Sequence, residues 1–225
     1  MKKTLAKICG ISTVEAALCA AENGADLIGL VFYPSSPRFV SFEQAQQIIE
    51  AVRNLPEASQ PKIVGLYVNT RVKEMVVTAA TLCLDYLQLS GDETPEVCHE
   101  LVQMRPVLKA VRLPLGSSPH EALKLVAPFA SIENLTLLLD TPKQGSYGGT
   151  GEVGDWQAAQ AVCQQFPSFL AGGLTPENVA EAIRLVQPYG VDVSSGVEVA
   201  GQSGVKDLAK IKKFLAEVRA TEQVA

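Results

Sequence analysis

Two short turns near the C-terminal end carry the plainest chemistry in this sequence. The apolar run 169–171 stops at Gly172-Gly173, and the run 190–193 stops at Ser194-Ser195-Gly196. Turns built from residues without bulky side chains let backbone N–H groups approach an oxyanion, and phosphate is the anion they most often hold. Gly172, Gly173, Ser194, Ser195 and Gly196 are therefore candidate phosphate-binding residues. Nucleophile pairs and metal sites look poor by contrast. His99 and His120 both fall in predicted helices and read as solvated surface residues, which argues against serine–histidine and cysteine–histidine pairs and against histidine-based metal sites. The five cysteines, Cys9, Cys19, Cys83, Cys98 and Cys163, are scattered and odd in number, with no zinc-type spacing. Reduced thiols and no metal are expected.

The elements that must position these turns repeat along the whole chain. A strand at 4–8 runs into Cys9-Gly10, and Thr13 then caps a helix with Val14, Ala17, Leu18 and Ala21 on one face. Residues 26–32 read as a buried strand with Gly29 inside it. Pro34 and Pro37 keep 33–39 irregular, and Ser41 starts a helix with Phe42, Ala45, Ile48, Ile49 and Val52 inward. Further strands are expected at 62–68, 85–89, 107–111 and 135–139, the last ending at Asp140. Helices between them are expected through Val76 and Ala80, from Thr94-Pro95, and from Ser118 or Pro119. Asp155 should cap a helix through Ala158, Ala161 and Val162. Strand 169–171, a helix opened by Pro176, strand 190–193 and a helix from Lys206-Asp207 complete eight strand–helix units. That count over 225 residues predicts one (β/α)₈ barrel, a TIM barrel, spanning 1–225 as a single domain with a frayed tail after about 220. An open doubly wound sheet is the alternative, and it usually needs fewer strands.

In barrel enzymes the site lies at the C-terminal ends of the strands. That rule selects Cys9, the loop holding Arg38, Asn69, Gln88 with Ser90, Arg112, Asp140, and the two small-residue turns. Cys9 and Asp140 end well-separated strands and can face each other across the mouth as a base and an acid. At neutral pH a thiol near pKa 8.5 and a carboxyl near 3.9 both start in the wrong state for those roles. The site would have to lower the first and raise the second. Cys9 can equally be a small core residue, Asp140 a loop or cap aspartate, and Arg38 a surface arginine. As a site residue, Arg38 suits bidentate carboxylate recognition. Residues 149–154 read GTGEVG, a literal GxGxxG, but the glycines do not directly follow a strand, so a lid over the sixth strand fits residues 141–154 better than a dinucleotide fingerprint.

Composition narrows the partners. Hydrophobic residues at 47% supply a sizeable core, and aromatics at 6% leave its packing to aliphatic side chains, which suits buried parallel strands. A net charge of −5 argues against a nucleic-acid surface. No stretch approaches the roughly 18 apolar residues of a membrane span. The opening MKKTLAKICGI is interrupted by Lys7 and has no small-residue cleavage site, so no signal peptide and a cytoplasmic location are expected.

Read in order, KICGI (7–11), GADLIGLVFYPSSPRFV (24–40), IVGLYVN (63–69), LQLSGDE (87–93), LLLDT (138–141), YGGTGEVGDW (147–156), LAGGLTPENV (170–179) and VDVSSGVE (191–198) closely resemble phosphoribosylanthranilate isomerases. The resemblance spans nearly the whole chain. It implies a barrel without a cofactor that takes a small phosphosugar substrate, as a monomer or weak homodimer. It implies an Amadori rearrangement of N-(5-phosphoribosyl)anthranilate. On this resemblance Asp140 falls on the family's general acid and Cys9 on its general base. Arg38 falls on the residue that binds the anthranilate carboxylate, and Asp192 on an aspartate near the middle of the substrate. Gln88 joins Arg38 and Asp192 as a substrate-binding residue, and the two small-residue turns fall on the phosphate grip. Two departures stand out. The family commonly reads QLHG where this chain has Gln88-Leu89-Ser90-Gly91, which bears on anthranilate contacts, and the turn after Glu198 is longer than usual. A sister phosphosugar barrel, a nicotinamide-dependent oxidoreductase using GTGEVG and a non-catalytic phosphosugar-binding module are the competing readings.

Overall fold

Eight parallel strands pair in chain order and close on themselves in a computed structural model that describes residues 3–140 and 156–222. They are β1 (Leu5–Cys9), β2 (Leu27–Val31), β3 (Lys62–Tyr67), β4 (Tyr86–Leu89), β5 (Val107–Arg112), β6 (Leu135–Asp140), β7 (Ser168–Ala171) and β8 (Gly190–Val193). The helices α1 (Val14–Glu22), α2 (Phe42–Arg53), α3 (Val72–Thr81), α4 (Pro95–Leu101), α5 (Pro119–Ala130), α6 (Trp156–Cys163), α7 (Val179–Val186) and α8 (Leu208–Ala220) alternate with the strands along the chain. The open-sheet alternative is excluded by the pairing of β1 with β8, which sets Lys7 beside Asp192. Among the described residues no helix is long and apolar enough to cross a membrane.

Local chemistry starts the helices where the sequence predicts. The Thr13 hydroxyl accepts from the Ala16 N–H at 3.2 Å. Ser41 with Gln44, and Ser118 with Glu121, form reciprocal capping boxes. Asp207 accepts from the Ala209 and Lys210 amides and caps α8.

Three expectations are corrected. Phe42 does not turn inward: it is 40% exposed, and α2 buries only Ala45, Ile48, Ile49 and Val52. In α1 the buried face is carried by Ala16, Ala17, Cys19, Ala20 and Ala21, while Leu18 stays half-buried, because small residues let this helix lie close to the sheet. Pro176 does not open α7, which begins at Val179. Residues 176–178 form a turn in which the Asn178 side chain accepts from the Thr175 N–H at 2.8 Å and donates to the Gly173 carbonyl at 2.9 Å. The expected lid over 141–154, its GTGEVG segment and the Asp155 cap lie outside the described residues.

Apolar burial divides into two cores. The larger lies between strands and helices. The smaller fills the barrel with Leu27, Val64, Leu108, Leu138, Phe169 and Ala171. Burying one such large side chain contributes about 1.5–3 kcal/mol. The closing seam is clasped by Asp26, which accepts from the Ala6 N–H at 2.8 Å, from Lys3 at 2.6 Å and from Arg219 of α8 at 2.6 Å.

Candidate active site

Strand alternation places Leu5, Lys7 and Cys9 of β1 on one face, and β8 sets Gly190 and Asp192 against the first two of them. The floor is apolar: the Phe169 ring lies where Gly190 has no side chain. One layer up, the fully buried Lys7 ammonium donates to Asp192 Oδ1 at 2.8 Å. Gly29 of β2 makes room for this layer. A Cβ at that position would meet Cys9 Sγ at 2.9 Å and Lys7 Nζ at 3.1 Å, so thiol and ammonium both lie over a residue with no side chain.

Above this layer opens a cavity of about 540 Å³ at the C-terminal ends of the strands. Its lining includes Cys9, Asp140, Arg38, Gln88, Asp192, Gly172, Gly173, Ser194, Ser195 and Gly196, so every candidate site residue meets there. His99 and His120 are exposed, on α4 and α5, away from it.

The two candidate proton-transfer groups differ in electrostatic environment. Burial pushes the Asp140 carboxyl up to about 6, the neighbouring Asp192 charge adds to the shift, and Arg112 opposes it. The direction matches the need for a protonated acid. Burial also raises the Cys9 thiol, and Lys7 pulls the other way without overcoming it. The lowered thiol demanded by the sequence reading is therefore not present. The reason is that Cys9 is 4% exposed, and a thiolate there loses its hydration before it gains the ammonium.

The binding groups are fixed by bonds that the sequence does not display. Glu198 grips the Arg38 guanidinium through Nε at 2.6 Å and Nη2 at 2.9 Å. Gln88 donates to the Ser90 hydroxyl at 3.1 Å, so the serine aims this amide. The buried Gln88 Oε1 has no hydrogen-bond partner among the described residues. At the other side, Gly172 and Gly173 adopt φ of 83° and 65°, a left-handed pair that only glycine takes without strain. Gly196 packs its bare Cα against the Leu174 carbonyl, so the two small-residue turns touch. Lys206 donates to the Ser194 carbonyl at 2.8 Å beneath the second turn.

Lys7, Glu198, Lys206 and Asn178 were absent from the sequence-derived site. Lys7 carried a readable signal, since it is a charge inside a buried strand two residues before Cys9. Asn178 and Lys206 act on turns 3–12 positions away in the chain, and Glu198 meets Arg38 from a segment 160 positions away, which no local pattern reveals.

A closed eight-stranded barrel whose C-terminal mouth holds a cavity lined by Cys9, Arg38, Asp140 and Asp192 defines the class, a (β/α)₈-barrel enzyme. A family model described as N-(5'-phosphoribosyl)anthranilate (PRA) isomerase matches residues 6–217, and the chain belongs to that family. It is similar to the N-(5'-phosphoribosyl)anthranilate isomerase of Roseiflexus sp. (strain RS-1), 46% identical over 96% of this chain and 98% of the relative. The phosphoribosyl anthranilate isomerase of Thermotoga maritima is similar in structure, with a TM-score of 0.83 and 36% identity over 96% of this chain and 99% of that one. A phosphoribosyl anthranilate isomerase in complex with reduced 1-(o-carboxyphenylamino)-1-deoxyribulose 5-phosphate aligns with a TM-score of 0.79 and 34% identity, over 96% of this chain and 99% of that one. The chain spans 47% of the length of a further relative, the tryptophan biosynthesis protein TRP1 of Phytophthora nicotianae, at 39% identity.

Proposed function

We propose that this isomerase converts N-(5'-phosphoribosyl)anthranilate to 1-(2-carboxyphenylamino)-1-deoxyribulose 5-phosphate by an Amadori rearrangement, with Asp140 as acid and Cys9 as base. Asp140 gives its proton to the ribose ring oxygen as the C1′–O bond breaks, and the anthranilate nitrogen's electron pair forms the iminium. The Cys9 thiolate then takes the C2′ proton. The electrons left behind neutralise the iminium to an enolamine, which tautomerises to the ketone. The order matters, because the C2′ proton becomes acidic only once the iminium has formed. Arg38 holds the anthranilate carboxylate, the turns at Gly172-Gly173 and Ser194–Gly196 hold the phosphate, and the Gln88 Oε1 accepts from a substrate N–H or O–H.

The observation that carries this reading is the pairing of opposite strand ends on one cavity, with Asp140 held near 6 by burial. At that value about a tenth of the carboxyls stay protonated at pH 7. The solved relative bound to a reduced form of the product supports the substrate class. The test is steady-state turnover in Cys9→Ala and Asp140→Asn, with complementation of a strain lacking the tryptophan-pathway isomerase. Each substitution should cost about 10²- to 10⁴-fold or more in kcat while affinity for the product is kept. Full turnover in either variant would overturn the assigned roles.

A further inference from the structure

Glu198 is buried behind the cavity and does not line it. Its carboxylate nevertheless reaches both sides. Oε1 and Oε2 take the Arg38 guanidinium in a bidentate pair, and Oε1 also accepts from Lys206 Nζ at 3.1 Å. Lys206 in turn donates to the Ser194 carbonyl at 2.8 Å and reaches the Ser194 hydroxyl at 3.4 Å. From behind, Lys210 of α8 donates to the Glu198 backbone carbonyl at 2.7 Å. One carboxylate therefore joins the arginine to the serine turn, and the Arg38 side chain and the Ser194 hydroxyl both crowd the bare Cα of Gly10.

We propose that Glu198 is a positioning residue that sets two anion-binding groups of the site, orienting Arg38 for a carboxylate and, through Lys206, the Ser194 turn for a phosphate. The proposal rests on the reading of Arg38 and the Ser194 turn given above. A bidentate pair fixes the plane of a guanidinium and leaves its remaining N–H groups to a ligand. Only a full negative charge holds two cations side by side in a buried place. Burial already lowers the Lys206 pKa, with Glu198 acting against it. Burial likewise works against the Glu198 charge, yet Arg38 and Lys206 hold that carboxyl below the usual range. Without the carboxylate Lys206 loses the contact that fixes its ammonium against the Ser194 carbonyl.

The experiment is Glu198→Gln, read by steady-state kinetics and by competitive inhibition with anthranilate alone and inorganic phosphate alone. We expect KM to rise about tenfold or more with kcat within about threefold, and both inhibitors to weaken. Glu198→Asp should recover part of the loss. A merely structural role would lower the melting temperature and the active fraction but leave KM and both inhibition constants unchanged. That result, or tighter phosphate binding, overturns the proposal. If Glu198→Gln does not fold, Lys206→Met tests one limb: phosphate should weaken while anthranilate is unaffected, and the reverse pattern overturns the proposal. Arg38→Met separates the two levels of argument. Unchanged anthranilate inhibition there sinks the reading of Arg38 itself. Weakened inhibition there, with none in Glu198→Gln, sinks only the positioning role.

Discussion

Lys7 donates to Asp192 at 2.8 Å inside the barrel, and the same ammonium lies over Gly29 beside the Cys9 thiol. A buried cation thus serves two partners, one the Asp192 carboxylate and one the thiol that the proposed mechanism needs ionised. Burial works to strip the Lys7 proton, but Asp192 and Cys9 together keep its pKa above the ordinary value. The ammonium therefore stays charged throughout the working pH range.

That arrangement predicts the form of the pH profile of kcat/KM. The proposed mechanism needs protonated Asp140 and ionised Cys9, yet the carboxyl titrates near 6 and burial holds the thiol above its usual range. On that mechanism the competent form is a minority species whose population is flat between the two pKa values. The rate should fall below about pH 6, where the thiolate dwindles while the acid is already saturated. It should fall again above the thiol pKa, where the acid dwindles. Asp192 raises both groups, so Asp192→Asn should move both limbs toward acid with little change in plateau height. Lys7→Met should move only the alkaline limb upward and lower the plateau. A profile in which Asp192→Asn shifts one limb alone would contradict this account.

Gly29 sets the space in which thiol and ammonium sit. Adding one methyl group in Gly29→Ala meets both at about 3 Å. The side-chain ends must give way, at an overpacking cost of about 1–3 kcal/mol. The expected outcome is a folded enzyme with kcat reduced about tenfold and a lower melting temperature. Wild-type kcat in a folded Gly29→Ala would show that the thiol has freedom the packing denies.

Stability at low pH should depend on Asp26, the clasp between β1, β2 and α8. Burial works to raise its pKa, but bonds from Lys3, the Ala6 amide and Arg219 hold it below the usual carboxylate value. A depressed folded pKa gives stability that is present above the unfolded value, near 3.9, and lost as pH falls through the folded one. Asp26→Ala should destabilise by about 1–3 kcal/mol at neutral pH. Denaturant melts should also show the gap between variant and parent shrinking below about pH 4. A gap that persists undiminished in acid would show that the carboxylate charge is not what holds the seam.

The barrel itself was legible because its signals are local. Strand runs ending in small residues and caps such as Thr13, Ser41, Ser118 and Asp207 place most elements within one or two residues. Where the reading failed, tertiary contacts decided. Phe42 has the right spacing for the inner face of α2, yet it stays 40% exposed while Ala45, Ile48, Ile49 and Val52 form the buried face. Pro176 is a good first helical residue, but Asn178 binds Gly173 and Thr175 and holds the turn open for another three residues. The candidate site divides in the same way. Cys9 and Asp140 stand at strand ends, which the alternation of elements locates. Glu198 matters because it meets Arg38, 160 positions away in the chain, and no periodicity records that.

The Phe169 ring closes the barrel from below by occupying the place where Gly190 has no side chain. Among the described residues, Lys7, Asp192 and Cys9 lie between that ring and the cavity. A ligand seated in the cavity therefore stands between these groups and bulk water. On the proposed mechanism, proton exchange at this layer follows the arrival and departure of the ligand, with the molecule being rearranged acting as its own stopper.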